Sequence, residues 1–109
     1  MKIAVAGKYS AETAEERQAN FDAMNEAAAR LLELGHTPLI GVNAALPVVE
    51  RARVADKYEA IMQISMAVIS VCDAILIISN SSGADRERDF FIANGKPVYN
   101  SIDAIPHNL

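Results

Sequence analysis

What the chain lacks narrows it first. Its 109 residues include one cysteine, Cys72, so no internal disulfide can form, and Met1 leads straight into a strand pattern rather than a basic, apolar and small-residue leader. A reducing cytoplasm is the expected setting. Histidines number only two, His36 and His107; neither has a companion at metal-ligand spacing, and they read as a helix end and a tail. No metal and no cofactor is expected. Concentrated basic charge is missing as well: six arginines and four lysines are scattered through a chain of net charge −4 and pI near 5.0. Polymeric nucleic acid is therefore excluded as an expected partner, and so is a membrane. Internal repeats and low-complexity segments are absent.

What is present is apolar content, 51% of residues. A chain of this length buries about two-thirds of its unfolded surface, enough for one core, so residues 1–109 are expected to form a single domain. Cys72 closes an apolar run and reads as a buried structural thiol rather than a nucleophile.

Strand and helix periods alternate along the chain. Ile3 to Ala6 is a short, continuously apolar strand of the kind found at the centre of a parallel sheet. A helix follows: Thr13 and Glu16 have capping-box spacing, Phe21, Met24, Ala28, Leu31 and Leu32 recur at steps of three and four, and Gly35 suits a C-cap. Thr37 to Ile40 reads as the second strand, and the turn-forming and small residues from Gly41 to Pro47 predict a loop. The next helix is expected from about Asp56 to Cys72. Its second half, from Ile61 on, is apolar nearly all round, so it needs cover on a second side, most simply from another copy of the chain; core packing or a strand is the competing reading. A third strand over Ala74 to Ile78, a helix over Ala84 to Asn94 and a short strand over Pro97 to Tyr99 complete the series.

Right-handed crossovers between parallel strands then give a small three-layer α/β fold, flavodoxin-like or Rossmann-like, with about four strands in the order 2-1-3-4 and helices on both faces. In that order a crevice opens at the carboxyl ends of the first and third strands, where Gly7 to Ser10 faces Ser79 to Gly83.

One stretch, from Asn80 to Val98, runs from a strand end through a small-residue loop into an acidic helix start and sets Glu87 four residues after Gly83. Ordinary helix-start chemistry accounts for Asp85, Glu87 and Asp89 together, since carboxylates there are stabilised by the helix dipole. The stretch also resembles the signature of the nucleoside 2-deoxyribosyltransferase-like superfamily, a Ser-x-Gly-x-x-x-Glu run followed by a helix and Gly-Lys-Pro-Val. Ser81, Gly83, Glu87, Gly95, Lys96, Pro97 and Val98 match it as they stand. Lys2 to Ser10 is similar to that family's opening strand, with Lys8 in place of its usual proline. Asn25 to His36 and Cys72 to Leu76 also read like its short bacterial branch. Only Gly41 to Asp56 falls outside the likeness.

The resemblance implies that Glu87 attacks an anomeric carbon and forms a glycosyl-enzyme intermediate, which passes to another base in the transferases and to water in related hydrolases. For the substrate it points to Gly7, Lys8, Tyr9 and Ser10 at the first strand's end and to Ser81, Ser82 and Gly83 in the loop. Each has a plainer reading: turn chemistry and a packed ring for the first group, a solvated lysine for Lys8, a loop serine or helix cap for Ser81. Asn43 is the amide able to read a base edge, or a turn former. The chain departs from the family in one respect that bears on chemistry. Active relatives usually carry an aspartate eight residues before the one matching Asp73, and here that position is Ser65, which is no comparable acid near neutral pH. Asp85 and Glu59 are the substitutes in view. Two functions follow: cleavage or transfer at the N-glycosidic bond of a deoxynucleoside or its 5′-monophosphate, or a non-catalytic nucleotide-binding module that has lost its acid.

Overall fold

Ile3, Ala4, Val5 and Ala6 are all buried, so the first strand has no wet face and takes a neighbour on each side. The computed structural model describes residues 1–107, and in it β1 (Lys2–Ala6) pairs in parallel with β2 (Thr37–Leu39) and with β3 (Ala74–Ile77). β3 in turn pairs in parallel with β4 (Val98–Tyr99), giving a four-stranded sheet in the order 2-1-3-4. Successive side chains leave opposite faces of a strand. Ile3, Val5 and Leu76 accordingly meet Met24 and Leu31 of α1 (Ala14–Glu33) and Val42 and Ala45 of α2 (Gly41–Val49). On the other face Ala4, Ala6, Ile75 and Ile77 meet Ile69 of α3 (Lys57–Ile69) and Ala84 and Phe91 of α4 (Ser82–Ala93). The result is the three-layer α/β arrangement that the alternation of periods predicts.

Local signals start and stop the helices. The Thr13, Asp56 and Ser81 side chains each accept a hydrogen bond from the backbone N–H three residues on, at 3.0–3.1 Å, and so cap α1, α3 and α4. Lys96, read in the sequence as part of a motif, ties down a helix end. Its ammonium donates to the carbonyls of Ser70 and Cys72, 3.1 and 2.7 Å away, just beyond α3.

The segment from Gly41 to Pro47, expected as a loop, is helical. Glycine, asparagine and proline give it turn-like composition, yet Val42, Ala45 and Val49 lie on one side of a helix and are all buried, and this burial overrides weak propensity. Gly41 makes that packing possible. A β-carbon there would sit 2.6 Å from Ser65 Oγ and 2.9 Å from Ser65 Cα, so the first turn of α2 lies directly on the middle of α3. The apolar circumference of α3 is thus covered from inside the chain, by α2 as well as by the sheet. Beyond Lys57 at its start, what α3 leaves exposed is the line Glu59, Gln63 and Ala67. His36, expected at a plain helix end, is buried: its Nε2–H donates to the Pro106 carbonyl at 2.6 Å and its Nδ1 accepts from the Met1 amine at 3.1 Å. Among the described residues no helix is long and apolar enough to cross a membrane.

Candidate functional site

Two bonds tie the carboxyl ends of β1 and β3 together: the Ile78 N–H donates to the Ala6 carbonyl at 2.9 Å and the Lys8 backbone N–H to Ser79 Oγ at 2.8 Å. Gly7 allows the approach, since a β-carbon there would stand 2.8 Å from both Ile78 Cγ1 and Ser79 Oγ. From the other side α1 holds the β1 loop: the Asn20 amide donates to the Tyr9 and Ser10 carbonyls at 3.4 and 3.3 Å. Extended backbone at Ser81 (φ −161°, ψ 166°) then turns the chain into α4, with Ser81 as its N-cap.

Glu87 lies in the second turn of α4 and points inward, only 8% exposed. This is too deep for ordinary helix-start chemistry, in which a carboxylate meets the dipole in water. Among the described residues none donates to its carboxyl or pairs with it. Burial alone pushes the group up to about 7. It faces a small cavity bounded by Gly7, Tyr9, Met62, Ser65, Ser81 and Gly83, with apolar walls from both sheet and helices. The space is narrow, about 10 Å³, room for about one water. Tyr9 is pushed upward by burial and then by Tyr58, so its phenol stays neutral across the physiological range.

The cavity therefore gathers Gly7, Tyr9, Ser81, Gly83 and Glu87 of the residues singled out in the sequence. Lys8, Ser10, Ser82 and Asn43 do not line it, and all four are exposed. Asn43 sits on α2 and donates its amide to the Asn25 side chain at 2.9 Å, turned toward α1. Asp85 and Glu59, the substitute acids, are also elsewhere: Asp85 pairs with Arg88 at 3.2 Å and Glu59 with Arg86 at 2.7 Å. Cys72 is fully buried in the core, where burial raises its thiol, and it does not line the cavity.

Three residues at the site carry no signal of their own in the sequence. Tyr58 donates its hydroxyl to Ser82 Oγ at 3.3 Å, and the Arg86 guanidinium lies 5.5 Å from the Tyr58 ring centroid. Arg86 also makes two bonds to the Glu59 carboxylate, at 2.7 and 3.3 Å, so α3 and α4 are strapped together beside the cavity. Met62 closes the cavity from α3, its Sδ 3.4 Å from where a side chain on Gly83 would begin. Tyr58, Met62 and Ser65 follow one another at steps of four and three. That spacing was the available clue that they share a helix face.

The family model described as a domain of unknown function (DUF4406) matches residues 1–100. The chain belongs to this family. Every residue bounding the Glu87 cavity falls inside the DUF4406 span, as do the strap residues Tyr58, Glu59, Ser82 and Arg86. No curated protein matches the chain.

Proposed function

We propose that the protein breaks or exchanges the N-glycosidic bond of a deoxynucleoside or its 5′-monophosphate, with Glu87 as the nucleophile. The observation that carries this reading is a carboxyl only 8% exposed, with no hydrogen-bond or ion-pair partner among the described residues, facing a cavity at the carboxyl ends of β1 and β3 beside the Ser81-Ser82-Gly83 turn. A fold has no use for an unpaired buried acid, whereas a site that must attack a carbon does. The likeness of Ser81, Gly83 and Glu87 to the deoxyribosyltransferase signature supports it.

In the proposed step the Glu87 carboxylate oxygen bonds to the anomeric carbon as the carbon–nitrogen bond breaks. The electron pair leaves with the base, which takes a proton from solvent. Water or a second base then attacks the anomeric carbon and frees Glu87. Among the described residues no second carboxyl borders the cavity to assist the departing base. Loss of the 2′-hydroxyl lowers the cost of the oxocarbenium-like state and favours deoxyribose over ribose. The space beside Glu87 holds about one water, so side chains at its rim have to move before a sugar can enter. With a single buried thiol, a reducing cytoplasm is the proposed setting.

Incubation with the deoxynucleosides and their 5′-monophosphates, followed by separation of products, tests the reading. Free or exchanged base that disappears with Glu87→Gln is the expected result. Because the anion attacks, the rate should rise with pH through about 7 and level off above it. Saturable nucleotide binding with no product at any pH would favour the non-catalytic module instead.

A further inference from the structure

Met62 borders two spaces at once. On its inner side is the Glu87 cavity; on its outer side an open groove of about 400 Å³ runs between α3 and the start of α4, edged by Val54, Ala60, Gln63, Met66 and Arg86. Met62, with its flexible thioether, is the residue their linings share. We infer that the outer groove is the subsite for the nucleobase of the substrate, with Met62 as the movable wall between base and nucleophile. The inference rests on the reading of Glu87 as the glycosidic nucleophile.

Size divides the two spaces first. A few hundred Å³ is the scale of small-molecule sites, whereas the inner cavity cannot take a ring. The groove's chemistry suits a flat, neutral heteroaromatic. Thioethers pack well against ring faces and adapt to different ring shapes, and Met62 and Met66 supply two of them, four residues apart. Gln63, exposed at the edge, carries a donor and an acceptor on one amide, the pattern that pairs with a base edge. An anion is a poor fit: the Asp56 and Glu59 carboxylates border the same groove, and Arg86, its cation, is already committed to Glu59. A base in this groove would leave the sugar carbon to reach inward past Met62. That is the order in which the proposed reaction needs them.

The four methionines give the test its readout. Protein carrying Glu87→Gln, which prevents turnover, is labelled with ¹³C at the methionine methyls and titrated with the four deoxynucleosides, with 2-deoxyribose as the probe lacking a base. Deoxynucleosides should shift the Met62 and Met66 signals saturably and leave Met1 in place, while 2-deoxyribose leaves Met66 unmoved. Gln63→Leu should weaken the preferred deoxynucleoside about tenfold, the loss of a hydrogen-bonded edge. Saturable binding with Met66 unmoved, or no shift at Met66 with any deoxynucleoside, overturns the subsite. Turnover by the native chain is scored separately, so the groove and the role of Glu87 can fail independently.

Discussion

Glu87 is charged in the unfolded chain at neutral pH and resists charge in the fold, and that difference has a measurable sign. Its carboxyl titrates near 4.5 ordinarily and near 7 when buried. Between those values the folded protein keeps a proton that the unfolded chain has released. Stability therefore falls as pH rises from about 4.5 to about 7 and is level above. At pH 8 the accumulated cost is about 3 kcal/mol. Glu87→Gln, which keeps the shape and removes the titration, should raise urea-unfolding stability at pH 8 by about 2–3 kcal/mol and flatten the slope between pH 4.5 and 7. An unchanged slope in the variant would place the cost on another group. In the sequence Glu87 was legible through its spacing from Gly83. Its depth was not, because position along a helix does not say how far the helix is sunk into the layers around it. The same gap hid Tyr58 and Met62, ordinary helix residues until α3 and α4 are placed side by side.

At the scale of elements, the strands and three of the four helices were readable because cap and period agree, with a glycine stop after α1 and α4: Thr13, Asp56 and Ser81 all cap where their chemistry implies. α2 was not readable, since Gly41, Asn43 and Pro47 are turn formers and nothing local outweighs them. Its helix exists because Val42, Ala45 and Val49 are buried together, a fact of the tertiary structure. The contact at Gly41 is correspondingly strict. Gly41→Ala puts a methyl 2.6 Å from Ser65 Oγ and 2.9 Å from the Ser65 backbone, which cannot yield, and should destabilise the chain by about 1–3 kcal/mol in thermal or urea unfolding. A neutral or stabilising result would mean that α2 does not rest on α3 as described. The same contact leaves Ser65 little room: it is 1% exposed and sits under α2.

For the whole molecule, the order 2-1-3-4 brings the two loops of the site to one end of the sheet, which the alternation of elements was sufficient to predict. The expectation of a second subunit came from the apolar girth of the stretch from Ile61 to Cys72; α2 covers part of it from inside the chain, while Val71 near its end stays exposed. A copy docked on α3 would have to be held by Glu59, Gln63 and Ala67 rather than by an apolar stripe. Light scattering decides the question: a doubled mass would support association of two copies, and a mass near 11.7 kDa at every concentration would contradict it. The most direct measurement is made on the reaction itself. Protein mixed with its preferred deoxynucleoside, quenched in acid and digested, should yield the peptide containing Glu87 heavier by one deoxyribosyl group, with no such adduct in Glu87→Gln. Base released with no adduct, and released equally by Glu87→Gln, would contradict the assignment of Glu87 as the nucleophile.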